Sequence, residues 1–192
     1  MMENDATHRS KEDFRFRDTR LCFTLPATLG DRGSKQPFER MRSPEDLGRW
    51  CVESGLLDRA PAVDEQKLAK AISLRESLQR IGESIATRRS PDQSDIAQVN
   101  VAASVEVTPQ LSEDAASVRW VAGGVEAALS RVARDAVDLF SGSFRDRIRI
   151  CANPKCQGLF VDESRPGLRR WCSMTTCGDQ AKKARFRKKA HS

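Results

Sequence analysis

Apolar residues recur at every third or fourth position in several stretches of the chain, which is the spacing of amphipathic helices. Ser43 followed by Pro44 is typical of a helix start, and Asp64 is suited to cap a second helix. Ser90-Pro91-Asp92 repeats the capped start. We therefore predict helices from Pro44 to Gly55, from Asp64 to Arg88, from Ser90 to Ala103 and from Val125 to Phe140.

Shorter segments are rich in strand-forming residues or alternate between apolar and polar positions. They predict a strand within residues 18–25, a hairpin of residues 105–111 and 118–121, and a strand pair of residues 148–150 and 159–161. Pro109 places its strand at a sheet edge or at a bulge. Residues 27–39 carry several Gly and a Pro and predict a loop.

The predicted fold class is therefore mainly α with a small β component. Residues 1–142 form a helical domain with short strands, and Ser141-Gly142-Ser143 marks its boundary. Residues 143–192 form a small C-terminal module, which is too short to bury a sufficient core of its own. A module of this size needs a cross-link, such as a bound metal ion or disulfides, to stay folded.

Four of the six cysteines can provide this cross-link, because they form two pairs with four residues between the members of each pair. The pairs are Cys151 with Cys156 and Cys172 with Cys177. Four such thiolates can surround one Zn²⁺ in the tetrahedral arrangement of structural zinc sites, and Asn153-Pro154 favours the turn inside the first pair. We predict one structural zinc, with no coordination position left for water or substrate.

A site of four thiolates and one zinc ion carries a net negative charge, which needs nearby donors. The expected donors are the neighbouring cations Arg149, Lys155, Arg169 and Arg170. Thr175 or Thr176 can cap a helix that begins near Cys177. Two disulfides, or four unrelated buried thiols, are the alternatives. Disulfides are disfavoured because the sequence shows no signal for an oxidising compartment.

Charge is distributed unevenly along the chain, whose formal net charge is +6. Residues 145–192 carry 13 Lys and Arg against 4 Asp and Glu, whereas residues 1–144 are mildly acidic. Six cations lie within residues 182–189, so a helix there is cationic on every side. Such a helix either stays solvated, as a solubilising tail, or binds a polyanion. Nucleic-acid binding is favoured, because a zinc module that presents a basic helix fits one familiar docking mode.

The module resembles the CGNR-type zinc finger over about residues 147 to 190. The resemblance is carried by the run from Cys151 through Cys156 to Asp162 and Arg165, by Arg169-Arg170-Trp171-Cys172, and by Cys177-Gly178. In that family the finger follows an α-helical domain called ABATE, which the upstream residues resemble more weakly. Where the family has Asn-Arg after Cys-Gly, this chain has Asp179-Gln180.

Proteins of that family are regarded as stress-induced transcription regulators of bacteria, so the resemblance implies a DNA partner. The residues expected to contact DNA are Arg169, Arg170, Lys182, Lys183, Arg185, Arg187 and Lys189. The helical domain is expected to form a homodimer or to sense a small-molecule effector. The exchange of an arginine for Gln180 and the carboxylate of Asp179 weaken phosphate contacts at that point.

We expect no enzymatic activity, because the sequence contains no catalytic motif and the only His residues are His8 and His191. Cys22 and Cys51 have no metal-ligating neighbour and are expected to be core residues. No apolar stretch is long enough for a membrane span, so a cytoplasmic protein is expected. The alternative function is a protein-interaction or effector-sensing module with a structural zinc and no DNA binding.

Overall fold

The computed structural model describes residues 13–16, 20–116, 118–121 and 123–190, without the side chains of residues 119–121 and 188–190. Its helices are α1 (Leu21–Thr24), α2 (Pro44–Glu53), α3 (Glu65–Ala86), α4 (Gln93–Ala103), α5 (Val125–Ser141) and α6 (Asp179–Ala190). Its strands are β1 (Leu29–Gly30), β2 (Phe38–Glu39), β3 (Thr108–Leu111), β4 (Val118–Val121), β5 (Ile148–Ile150) and β6 (Leu159–Val161). Strands pair antiparallel as β1–β2, β3–β4 and β5–β6. The predicted fold class, mainly α with a small β component, is confirmed.

Local capping signals account for the helix starts. The side chain of Ser43 accepts a hydrogen bond from the amide of Asp46, and the side chain of Asp64 accepts one from the amide of Lys67. These bonds satisfy amide donors that have no partner within the first helical turn. Helix α2 ends as predicted, because Gly55 takes a left-handed conformation with φ of 70° that a side chain disfavours.

The core is built around α3, which packs against α2, α4 and α5. Large, fully buried side chains at its centre come from α2, α3, α5 and the segment between α1 and α2: Trp50, Leu47, Leu78, Leu139, Val132, Leu25 and Met41. No helix in the described part of the chain is both long and apolar enough to cross a bilayer.

The strand predicted within residues 18–25 is wrong. Residues 18 and 19 lie outside the described part of the chain, and Leu21–Thr24 forms one helical turn. The amide of Cys22 donates to Asp135 Oδ2 on α5 at 2.8 Å, which caps the turn from 113 residues away in sequence. Cys22, Phe23 and Thr24 are all buried, so the alternation in the sequence did not reflect one buried and one exposed face.

Residues 27–39 remain mostly loop, but β1 and β2 form a short ladder that the sequence did not signal. A buried cation holds this loop on α3. Arg75, which is 4% exposed, donates to the carboxylate of Glu39 at 2.8 Å and to Thr28 Oγ1 at 3.2 Å. The loop therefore has a fixed position against α3.

The hairpin of β5 and β6 packs into the same core as the helices. Ile148, Leu159 and Val161 are buried in the cluster that also contains Leu78 and Ile81. Gly82 permits this contact, because a Cβ there would lie 2.4 Å from Leu159 Cδ1. The division at residues 142 and 143 stays a prediction, but the two parts share one apolar core.

Candidate metal centre and basic helix

The four predicted cysteines lie together at the end of the β5–β6 hairpin. Their sulfur atoms all lie within 4.8 Å of one another. Cys172 Sγ is 3.7 Å from Cys156 Sγ and 3.8 Å from Cys177 Sγ. A tetrahedron with zinc–sulfur bonds of about 2.3 Å has edges of about 3.8 Å, so these two distances match the spacing of zinc ligands. The donor set fits one structural zinc ion.

The first cysteine pair is held by the turn that Asn153-Pro154 predicts. Asn153 Oδ1 accepts a hydrogen bond from the amide of Lys155 at 3.1 Å, and its carbonyl accepts one from the amide of Cys156 at 2.9 Å. The amide of Cys151 then donates to the carbonyl of Gly158 at 2.9 Å, which closes the loop. The pair therefore projects from a compact knuckle.

Cys177 of the second pair lies in a wide helical turn, Met174–Gly178, that leads directly into α6, and Cys172 lies just before this turn. The amide of Gly178 donates to the carbonyl of Ser173 at 3.0 Å, five residues earlier. The predicted cap at Thr175 or Thr176 is wrong, because the helical turn begins before both residues. Since Cys177 lies within this turn, the metal site fixes where α6 starts.

The thiols influence one another strongly because they are so close. Hydrogen bonds from Cys156, Cys172 and Cys177 place the pKa of Cys151 far below its ordinary value. The same contacts with Cys151 raise the pKa of Cys156 and of Cys172. Without a cation, the cluster cannot hold four thiolates. A divalent metal removes this conflict, because it stabilises every thiolate that binds it.

Donors to the sulfurs come from the backbone rather than from the four predicted cations. The amides of Gly158 and Cys172 hydrogen-bond the sulfurs of Cys156 and Cys151. Arg149 donates to backbone carbonyls, including that of Asp146 at 2.7 Å. One of these amides follows the first cysteine pair and the other belongs to the second pair, so both parts of the finger supply a donor to the sulfurs.

Arg169 stabilises the segment of the second cysteine pair through hydrogen bonds to backbone carbonyls. Its Nε donates to the carbonyl of Trp171 at 2.8 Å, and its Nη2 donates to the carbonyl of Cys172. The guanidinium also lies over the ring of Phe160, 4.9 Å from its centroid. From the sequence we predict that Leu159, Phe160 and Trp171 form the apolar packing around the cysteines. The prediction is confirmed for Phe160 and Trp171, whereas Leu159 belongs to the body's core.

Asp162 is a structural residue of the finger that sequence reasoning missed. Its side chain is fully buried, and its carboxylate accepts hydrogen bonds from the amides of Ser164 and Arg169 at 3.1 Å and 2.9 Å. Burial alone would raise the pKa of Asp162, but the Ser164 hydroxyl and the two amides lower it overall. The carboxylate thus closes the loop between the two cysteine pairs. Its signal is the Asp-x-Ser spacing of a side-chain-capped turn.

The cations predicted to contact DNA differ in their surroundings. Arg169 is half-buried and occupied as described, and the side chain of Lys189 lies outside the described part of the chain. Arg170 is exposed over the ring of Trp171. The remaining residues are exposed on α6 and define the basic helix surface: Lys182, Lys183, Arg185 and Arg187.

The two residues that depart from the CGNR signature have different environments. Asp179 is exposed at the first position of α6. Gln180 Oε1 accepts a hydrogen bond from Asn153 Nδ2 at 2.9 Å, which ties the helix to the first cysteine knuckle. Gln180 therefore has a structural role in this chain, which differs from the phosphate binding expected of the signature arginine.

The cysteines outside the metal centre are inert core residues, as predicted. Cys22 and Cys51 are fully buried, and burial raises the pKa of Cys51 to about 12. A thiol with so high a pKa forms almost no thiolate near neutral pH.

Comparison with known families finds one match in each part of the chain. Residues 19–143 match the ABATE family model, whose description is "Putative stress-induced transcription regulator". Residues 147–190 match the model of the CGNR zinc finger. Both resemblances noted in the sequence are confirmed. No curated protein gives a significant match to the chain.

Proposed function

The chain belongs to the ABATE family, and we propose that it is a DNA-binding transcription regulator whose zinc finger contacts the duplex. The description of that family supports a role in transcription. It adds induction by stress, which we extend to this protein as part of the proposal.

The observation that carries the proposal is the basic helix surface on α6. Lys182, Lys183 and Arg185 are all exposed, and at 100° per residue they point in different directions around the helix. A helix in a groove has phosphates on both of its sides, so this distribution suits a duplex better than a flat acidic surface. The finger holds the start of α6 in a fixed position, because Cys177 anchors the turn before α6.

Binding is proposed to depend mainly on phosphate contacts, which position a protein on DNA without reading its sequence. Arg170 adds one exposed cation at the base of the finger, whereas Arg169 acts indirectly by holding the cysteine loop. Asp179 repels phosphate at the start of α6, and Gln180 is bound to Asn153. Sequence preference is therefore expected to be weak.

The helical body is proposed to set the geometry of a homodimer or to respond to a small effector. No enzymatic activity is proposed, since all four zinc ligands are sulfur and leave no open position. The six cysteines form no disulfide and suit the reducing cytoplasm, which we propose as the compartment. A protein-interaction module that does not bind DNA is the second candidate, favoured by the loss of the signature arginine at Gln180, which hydrogen-bonds Asn153 instead.

Titration of a fluorescent random duplex with the zinc-loaded protein at several salt concentrations tests the proposal. About four phosphate contacts predict that the logarithm of the affinity falls against the logarithm of salt with a slope near −4. A slope near zero, or no binding at low salt, would exclude DNA as the partner. An acidic protein would then become the expected partner of α6.

A further inference from the structure

The four cysteines of the metal centre differ in their access to solvent. Cys151 and Cys177 are each 3% exposed, whereas Cys156 and Cys172 are partly exposed. The two partly exposed residues also line a cavity of about 100 Å³ between the helical body and the finger, together with Cys177. Since liquid water occupies about 30 Å³ per molecule, this cavity has room for about three waters or for one molecule of hydrogen peroxide. A small oxidant therefore has its easiest approach at Cys156 and Cys172.

The two partly exposed cysteines are also positioned to form a disulfide. Cys156 Sγ lies 3.7 Å from Cys172 Sγ, and a disulfide bond is about 2.05 Å long, so the two sulfurs must approach each other by about 1.7 Å. Both residues lie outside the helices and strands. A shift of this size at Cys156 and Cys172 therefore breaks no helix and no strand pairing.

Cys177 lies almost as close to Cys172 but is a poorer disulfide partner. Its Sγ is 3.8 Å from Cys172 Sγ. Cys177 belongs to the wide helical turn Met174–Gly178, in which the amide of Gly178 donates to the carbonyl of Ser173 at 3.0 Å. Pulling Cys177 toward Cys172 distorts this turn. Burial and backbone structure therefore both favour Cys156 as the partner of Cys172.

We propose that Cys156 and Cys172 are a site of reversible oxidation by a hydroperoxide, which joins them in a disulfide between the two cysteine pairs. The ligating cysteines are thiolates when zinc is bound, and the thiolate is the form that attacks a peroxide. One thiolate attacks a peroxide oxygen, so an S–O bond forms, the O–O bond breaks and hydroxide leaves. The second thiolate attacks the sulfenic sulfur, so the S–S bond forms and a second hydroxide leaves. With hydrogen peroxide, two thiolates and two protons thus give one disulfide and two waters.

The disulfide removes two of the four zinc ligands. Cys151 and Cys177 alone cannot complete the four-coordinate arrangement of a structural site, so zinc is released. The start of α6 then loses its fixed position, because Cys177 no longer shares a metal with the first cysteine pair. Oxidation therefore weakens duplex binding by α6, and this last step alone rests on the proposed function.

Treatment of the zinc-loaded full chain with hydrogen peroxide tests the proposal. Released zinc is measured with a chromogenic chelator, and disulfides are mapped by peptide mass spectrometry after free thiols have been alkylated. We expect release of about one equivalent of zinc per chain together with one disulfide, between Cys156 and Cys172. The fully buried Cys22 and Cys51 should stay reduced. A reductant with added zinc should restore the zinc content. Neither readout involves DNA, so both keep their meaning if the duplex titration fails.

Met174→Leu is the matched control variant. Met174 is 59% exposed in the turn that contains Cys177, and its thioether is also sensitive to peroxide. This variant should release zinc as the unmodified protein does. Zinc that stays bound in excess peroxide would overturn the proposal, as would a main product with its disulfide inside one cysteine pair. Zinc release that disappears in Met174→Leu would overturn it too, because methionine oxidation would then be the cause.

Discussion

Replacing Leu159 with Ala tests whether the finger's hairpin is part of the body's core. The side chain of Leu159 is 7% exposed and lies against the backbone of α3 at Gly82. Leu-to-Ala changes in protein cores cost about 2 to 5 kcal/mol, and more where the surroundings cannot move into the space. The helix backbone at Gly82 is such a rigid surface. We therefore expect a loss of about 3 kcal/mol in the free energy of unfolding.

For a chain of this length, 1 kcal/mol lowers the melting temperature by about 2 to 4 °C, so a fall of about 6 to 12 °C is expected. Far-UV circular dichroism of the zinc-saturated protein measures it, because most of the helical signal comes from the body. Leu168→Ala is the matched control, since Leu168 is in the same module but 76% exposed, and it should change the melting temperature little. If Leu159→Ala left the helical transition unchanged, the finger would not contribute to the body's core.

Three further predictions concern the metal, a buried carboxylate and the signature residues. Cys156→Ser should reduce bound zinc, measured by elemental analysis, from about one equivalent to less than half an equivalent. The pKa of Asp95 lies below its ordinary value because Arg80 donates to it, against the opposing effect of burial. The ionised carboxylate therefore stabilises the fold above about pH 4, and this stabilisation is lost as the pH falls through its lower folded pKa. The melting temperature of Asp95→Asn, measured at several acidic pH values, should depend less on pH than that of the unmodified protein. Asp179→Asn with Gln180→Arg should tighten duplex binding severalfold, measured by the same salt titration; unchanged affinity would show that neither residue faces phosphate.

Features that depend on neighbouring residues could be predicted from the sequence. The cap at Ser43 and the end of α2 at Gly55 are local events, since each depends on a few residues along the chain. The zinc ligands could also be predicted from the sequence, because two Cys pairs at matching spacing rarely occur for another reason. The sequence also identified the turn at Asn153-Pro154.

Features that depend on distant residues could not be predicted in this way. Leu21–Thr24 became helical because Asp135 caps it and α5 covers it, and neither contact has a signal within the segment. The prediction that Leu159 packs around the metal was wrong, because nothing near it in the sequence signals the contact with α3. In the same way, charge alone could not separate Arg169, which binds carbonyls of the cysteine loop, from the exposed cations of α6.

The most direct test of the central claim, that α6 contacts DNA through its cations, compares two variants with the same loss of charge. Lys183→Gln with Arg185→Gln removes two charges from α6, whereas Lys70→Gln with Arg59→Gln removes two exposed charges from the body. If both α6 cations meet phosphates, the salt slope should fall in magnitude by about two in the first variant and stay constant in the second. Equal slopes in both variants and the unmodified protein would contradict the claim.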